Sequence, residues 1–248
     1  MALTINISLI KSLQTLPRGT PLGMNELKTL GISSALASHY VKSGWLERLG
    51  RGVFKFPGDE LQREPSLTFL ATRMPGLHVG GKTALAWRGV RHNVSVRETL
   101  FLCGKEPARL PAWFFDYFPS RYVARKLFGR KLPESFGLSP LPETPDGPLV
   151  SEPERALLEM LSDVGIGQSV EEARNIMEGV RSLRVDILEP LLRSCLRVKV
   201  LRLCVQWSEE LNLNWAAEAR KIARGTPAAS QSRWTARLKD GTTLILKP

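Results

Sequence analysis

The chain has 248 residues, of which 43% are hydrophobic, and it carries a formal net charge of +11. This apolar content is sufficient for a packed core and excludes a largely disordered chain. No stretch approaches the ~18–20 apolar residues of a membrane span, and the N-terminal residues lack the pattern of a signal peptide. The three cysteines are odd in number and far apart, so they indicate no disulfide framework. We therefore expect a soluble cytoplasmic protein. Its positive excess lies mostly in the first 150 residues, which favours a polyanion as partner.

The first sixty residues predict three short helices followed by a hairpin. The predicted elements are helices over residues 5–16, 24–30 and 33–43 and strands over residues 45–49 and 53–56. Gly31 ends the second helix, and Ser33 or Ser34 caps the third. The strands are joined by Gly50-Arg51-Gly52. This order of elements is that of a winged helix-turn-helix domain.

The third helix has the side chains that a DNA-reading helix needs. Leu36, Tyr40 and Val41 would seat it on the first two helices, and the opposite side carries short polar groups and a lysine. Such a helix fits a major groove about 12 Å wide, while an arginine at the hairpin turn can enter the minor groove. The candidate DNA-binding residues are Lys28, Ser33, Ser34, Ser38, His39, Lys42, Arg48, Arg51 and Lys55.

The rest of the chain predicts a mixed region followed by a helical one. Helices are expected over 66–73 and 83–88, β-like runs within 94–102 and 112–128, and a Pro-rich linker or long loop over 138–148. The aromatic run that begins at Trp113 favours a half-buried strand. Further helices are predicted over 152–163, 169–180, 184–196, 198–211 and 214–224. Asp240-Gly241 between two alternating runs predicts a terminal hairpin.

These elements predict an α+β fold in three parts. A winged helix-turn-helix occupies residues 1–60, a mixed α/β middle region residues 61–148, and a mainly helical domain with a terminal β-hairpin residues 149–248.

Residues 76–83 match the phosphate-loop pattern G-x-x-x-x-G-K-[ST]. That loop requires a buried strand that leads into a helix N-terminus, but Pro75 stands where the strand should end. The sequence therefore favours a simple glycine turn. A nucleotide-binding enzyme that uses Gly81-Lys82-Thr83 remains an alternative, as does a winged helix that contacts protein instead of DNA.

No other pattern indicates a catalytic centre. His39, His78 and His92 lack the spacing of a zinc site, and no Gly-x-Ser-x-Gly elbow is present. We expect no catalytic residue, no metal and no cofactor, and thus a protein that is not an enzyme.

Three blocks of the sequence are similar to the AbiEi family of antitoxins from bacterial toxin–antitoxin and abortive-infection (phage defence) systems. They are the N-terminal run from Gly31 to Phe54, the helix Thr83-Ala84-Leu85-Ala86-Trp87-Arg88-Gly89, and the segment Ser151-Glu152-Pro153-Glu154-Arg155-Ala156-Leu157-Leu158-Glu159. The predicted hairpin over 234–246 departs from the family pattern.

The resemblance implies a repressor with a second activity. The winged helix would bind inverted repeats in the promoter of its own operon, with DNA contacts at Ser34, Ser38, His39, Lys42 and Arg51. The C-terminal part would counter a nucleotidyltransferase-like toxin, either by direct contact or without it. No specific residue is carried over for this antitoxin activity.

Overall fold

The computed structural model describes residues 11, 13–90, 99–226, 234–237, 241 and 243–246. Its elements are, in chain order, β1 (Leu22–Gly23), α1 (Met24–Thr29), α2 (Ser34–Lys42), β2 (Glu47–Gly50), β3 (Val53–Lys55), α3 (Arg63–Ala71), β4 (His78–Val79), α4 (Gly81–Trp87), β5 (Leu100–Cys103), α5 (Ala112–Tyr117), β6 (Ser120–Val123), β7 (Leu138–Ser139), β8 (Val150–Ser151), α6 (Pro153–Asp163), α7 (Val170–Glu178), α8 (Val185–Ser194), α9 (Val198–Glu210), α10 (Ala216–Arg224), β9 (Trp234–Arg237) and β10 (Thr243–Leu246). The fold is α+β, as predicted.

The chain forms two compact units. The first comprises residues 1–73 and 109–119, and the second comprises residues 74–108 and 120–248. The division into parts at residues 60 and 148 stays a prediction.

The first unit is built around one apolar cluster. Leu27 of α1, Ala37 and Tyr40 of α2, and Phe54 of β3 are all buried in it. The three strands form an antiparallel sheet in the order β1-β3-β2; the sequence had indicated β2 and β3 but not the two-residue strand β1. The first predicted helix, 5–16, lies largely outside the described residues, although the described Leu13 is helical and buried in the cluster.

Helix α5 corrects a prediction. The aromatic run that begins at Trp113 was expected to be a strand, but Ala112–Tyr117 is helical. Trp113 and Phe114 are neighbours in the sequence and are both buried. In a strand with one buried face, only one of two neighbouring side chains would be buried. Pro111 occupies the N-cap position. Tertiary packing of two adjacent aromatic rings on one side therefore overrides their strand preference.

The second unit contains a five-stranded mixed sheet in the order β6-β5-β4-β8-β7. β4 pairs antiparallel with β5 and parallel with β8. Helix α6 packs against α4, and its residues from Glu154 to Asp163 are all buried. The five helices predicted after residue 150 are confirmed, with ends that differ by at most two residues.

The predicted terminal hairpin is confirmed in its described strands, because β9 and β10 pair antiparallel with Trp234 opposite Leu246. Residues 94–98 of the β-like run over 94–102 lie outside the described residues, and residues 100–103 form β5. In the part of the chain that the structure describes, every helix is too short or too polar to cross a membrane.

Candidate nucleic-acid interface

Helix α2 is the third helix of the sequence analysis, and it presents a polar face. Ser33 caps it, because its hydroxyl accepts a hydrogen bond from the Leu36 backbone N–H at 3.2 Å. Ala37 and Tyr40 are fully buried beneath the helix, whereas Leu36 is only partly buried. Ala37 was missed as a core residue. Its small side chain lets the helix lie close to the cluster.

The predicted polar residues of α2 lie on the opposite face. Ser34 and Lys42 are exposed, and Ser38 and His39 are half-buried. Ser34, Ser38 and Lys42 are spaced by four residues, which places them in one row along the helix. The Ser38 hydroxyl donates to the Ser34 carbonyl oxygen at 2.9 Å. The row therefore carries two hydroxyls followed by one ammonium group.

The hairpin brings an arginine to this row. Arg48 of β2 donates from Nη2 to the Ser38 Oγ at 3.5 Å, and its guanidinium lies 5.4 Å from the centre of the Phe54 ring. Arg48 is exposed on its outer side. The structure therefore places Ser34, Ser38 and Arg48 on one continuous surface, next to Lys42 on the same helical row.

The hairpin turn is held at a defined position. Arg51 is exposed at its tip, and Gly52 has a φ of +69°, which favours glycine. The Gly52 carbonyl oxygen accepts a hydrogen bond from the Met24 N–H at 2.9 Å. This bond ties the turn to the start of α1, the helix that carries the exposed Lys28 near its C-terminal end.

Several of the predicted DNA-binding cations are available to a partner. Lys28, Lys42 and Arg51 are exposed, and none of them forms an ion pair with another described residue. An exposed cation without an ion pair can contact a phosphate without giving up an interaction within the protein, whereas a paired cation cannot.

Lys55 does not belong to this surface. Its side chain is buried, and its Nζ lies 3.1 Å from Glu47 Oε2 and donates to the Asp59 carbonyl oxygen at 2.8 Å. Burial lowers the pKa of Lys55, but hydrogen bonds with Glu47 and Tyr117 outweigh it, so the pKa lies above its ordinary value. Glu47 is the register partner of Lys55 across the hairpin. Lys55 is thus committed to an internal ion pair, and we remove it from the candidate DNA contacts.

The groups of the phosphate-loop motif that would bind a nucleotide are instead bound to other residues of the protein. β4 lies within the motif instead of before it, and at the start of α4 the Gly81 N–H donates to Glu159 Oε2 at 3.2 Å. Thr83 is buried and accepts a hydrogen bond from the Phe101 N–H at 2.9 Å. Lys82 pairs with Glu172 at 2.8 Å. A carboxylate therefore stands where a phosphate would have to bind, which argues against the nucleotide-binding alternative.

His78, Cys103 and Glu159 converge closely enough to suggest metal ligands, since their donor atoms lie within 4.8 Å of one another. The Glu159 carboxylate, however, already accepts from four donors: His78 Nε2 at 3.0 Å, Arg155 Nε at 2.9 Å, Ser151 Oγ at 2.8 Å and the Gly81 N–H. A carboxylate offers about four lone-pair positions, so none remains for an ion.

The same contacts explain the electrostatics of this buried cluster. Burial alone raises the pKa of Glu159, but His78 and Arg155 outweigh it and lower the pKa to about 2. Burial raises the pKa of the Cys103 thiol well above its ordinary value. An uncharged thiol is a poor nucleophile. The role of the cluster is therefore structural. The Glu159 carboxylate of α6 links this helix to α4 and β8 by hydrogen bonds and forms an ion pair with Arg155.

Sequence comparison identifies relatives of both parts of the chain. Residues 6–96 match the family model described as the transcriptional regulator AbiEi antitoxin N-terminal domain, and residues 97–242 match that described as the transcriptional regulator AbiEi antitoxin of a Type IV TA system. No curated protein matches the chain. Among solved structures, the RV2827C protein from Mycobacterium tuberculosis is similar, with a TM-score of 0.58 and 14% identity over 92% of this chain and 87% of that chain. At this identity the likeness concerns the fold alone.

Proposed function

The chain belongs to the AbiEi antitoxin family of transcriptional regulators of Type IV toxin–antitoxin systems, and from this membership we propose that residues 1–60 form a winged helix-turn-helix domain that binds promoter DNA. The DNA would contain inverted repeats in front of the protein's own operon, and binding would repress that operon. The protein would act by binding and not by catalysis.

One observation carries this proposal: the polar row of α2 and the arginine of β2 form a single exposed surface, joined by the Arg48–Ser38 contact. Short hydroxyls can approach base edges closely because they add little bulk to the helix. The cations beside them match the negative charge of the DNA backbone. The same face would gain little from an apolar protein partner.

The residues divide into two roles. In the major groove, Ser34, Ser38 and His39 would contact base edges, while Lys42 would contact phosphate. Arg51 would enter the minor groove from the hairpin turn. The remaining cations of the surface, Lys28 and Arg48, would bind phosphates. Ser33 would chiefly cap the N-terminus of α2, which would face the DNA backbone.

The C-terminal part would supply the antitoxin activity. We propose that residues 149–248, including the terminal hairpin, counter a nucleotidyltransferase-like toxin, and that residues 61–148 connect them to the DNA-binding domain. The match of residues 97–242 to the antitoxin family supports a role outside the DNA-binding domain. Co-expression of the toxin of the same operon with the full-length protein, and with a full-length Lys42→Ala/Arg51→Ala variant that binds DNA weakly, tests this: the proposal expects both proteins to restore growth.

A gel-shift titration tests DNA binding. The full-length protein should shift DNA from immediately upstream of its own operon at lower protein concentration than a shuffled duplex of the same length and composition. Equal affinity for both duplexes would remove sequence-specific repression. No shift of either duplex would favour the protein-interaction alternative.

A further inference from the structure

The hairpin that carries Arg51 rests on a helix from a distant part of the sequence. Trp113 of α5 is buried beneath β2. A Cβ atom added to Gly50 would lie 3.3 Å from Trp113 Cδ1 and 3.9 Å from Trp113 Nε1. The backbone of β2 is therefore in direct contact with the indole ring, one residue before Arg51.

The indole itself is held from two sides. Its ring lies edge-on to Phe69 of α3, with centroids 6.1 Å apart and planes at 70°, and to Phe114 of α5 at 5.7 Å and 85°. Edge-to-face aromatic pairs contribute a favourable interaction energy in addition to that from burial of their apolar surface. Trp113 cannot swing away without losing both contacts, so it provides a rigid support.

Helix α5 also contacts the second strand of the hairpin. The Lys55 Nζ lies 5.7 Å from the centre of the Tyr117 ring, and a hydrogen bond with Tyr117 contributes to the raised pKa of Lys55. Trp113 thus supports β2 near the turn, and Tyr117 supports β3 at its end. Tyr117 is exposed on its other side.

β2 is an edge strand of the sheet β1-β3-β2, so its backbone is paired on one side only and needs other contacts to fix the turn that follows it. If this turn is ordered before DNA arrives, less conformational entropy is lost on binding. We propose that Trp113 and Tyr117 are positioning residues for DNA binding, which hold the turn at Gly50–Gly52 so that Arg51 is presented to the duplex. This inference rests on the proposed DNA-binding function.

A double-mutant cycle on the full-length protein tests the proposal. Arg51→Ala and Trp113→Ala should each weaken binding to the upstream duplex about tenfold and lower the salt slope of log K by about 0.9. Because Trp113 acts through Arg51, the double variant should bind no more weakly than either single variant. Trp113→Phe should restore most of the loss. Phe115→Ala, on the same helix with a side chain that is 54% exposed, is the matched control and should bind like wild type.

Amide hydrogen exchange separates positioning from loss of fold. In Trp113→Ala the amides of residues 50–53 should exchange at least tenfold faster, while those of α2 stay unchanged. If Trp113→Ala does not fold, Tyr117→Ala is assessed by the same two criteria, since its partly exposed side chain makes it the milder change. The proposal would be overturned if the losses of affinity in the Arg51 and α5 variants multiply in the double variant. It would also be overturned if amide exchange accelerates equally in α2 and in the turn. A wild-type protein that binds no DNA would refute the proposed function instead, and the exchange result would still decide whether α5 orders the turn.

Discussion

The guanidinium of Arg48 lies 3.5 Å from the hydroxyl of Ser38, and this contact links the hairpin to α2. The Phe54 ring beneath the guanidinium supports its position, and the Ser38 hydroxyl is directed by its own bond to the Ser34 carbonyl. A helix with small polar groups and a hairpin with arginines therefore act as one surface. The DNA binding that we propose for this unit uses both elements on one surface.

Removing either of two cations should weaken DNA binding without altering sequence preference. Lys28→Ala and Lys42→Ala each remove one unpaired charge from a proposed phosphate contact, so affinity for the upstream duplex and for a shuffled duplex should fall by similar factors. The slope of log K against log salt should decrease by about 0.9 for each variant. Fluorescence anisotropy titrations at several salt concentrations measure this. Lys221→Ala removes an exposed lysine of the other unit and should leave the slope unchanged; an equal effect there would show that only net charge matters.

Much of this surface was predictable because it depends on local sequence. Glycines and a serine cap mark the ends of α2, and the spacing of Ser34, Ser38 and Lys42 defines its outer row. The burial of Lys55 was not predictable because its ion-pair partner is set by the hairpin register, which places Glu47 opposite it. A basic residue in a hairpin looks the same in the sequence whether it is solvated or buried in an ion pair.

Helix α5 was not predictable from local preference. The aromatic rings in it favour strands in isolation, whereas in the folded unit Trp113 packs on Gly50 and Phe69. Pro111 before it and Pro119 after it were the available signals for a short, bounded helix. The buried Glu159 network was likewise invisible, because its members are brought together from separate elements of the second unit.

Lys55 should matter for stability and not for DNA binding. Lys55→Ala leaves the Asp59 carbonyl oxygen without its buried donor and removes the ion pair with the partly exposed Glu47. We expect the free energy of unfolding to fall by about 1–3 kcal/mol. Urea denaturation measures the loss. Anisotropy titrations of the folded variant should give the wild-type salt slope, and a slope reduced by about 0.9 would return Lys55 to the phosphate contacts.

The buried Glu159 should make stability depend on acid pH. Its pKa is lowered from 4.5 to about 2, so its stabilising effect is complete above pH 4.5 and is lost as the pH falls from 4.5 towards 2. One pKa unit corresponds to about 1.4 kcal/mol, which gives a contribution of roughly 3 kcal/mol at neutral pH.

Urea unfolding of wild type and Glu159→Gln across pH 3 to 7 tests this expectation. The difference between the two proteins should be largest at pH 7 and should shrink as the pH falls below 4.5. Glu171→Gln, a change at an exposed glutamate at the start of α7, serves as the control and should follow wild type throughout. A gap between wild type and Glu159→Gln that stays constant with pH would contradict the lowered pKa.

The phosphate-loop motif should not bind nucleotide. Isothermal titration of the full-length protein with Mg-ATP should give no saturable heat, because the Glu159 carboxylate occupies the helix start at Gly81. Lys82→Ala should behave identically and lose only its ion pair with Glu172. Saturable binding by wild type that disappears in Lys82→Ala would instead support a nucleotide-binding protein.

Photo-crosslinking from α2 tests the central claim most directly. A photoreactive amino acid is placed at Ser38 of the full-length protein, and a second protein carries it at Phe115. Each is irradiated with the labelled upstream duplex. The Ser38 probe should crosslink to bases within the inverted repeats, and the Phe115 probe should give little product. A duplex that is bound but crosslinks from Phe115 and not from Ser38 would contradict recognition by the α2 surface.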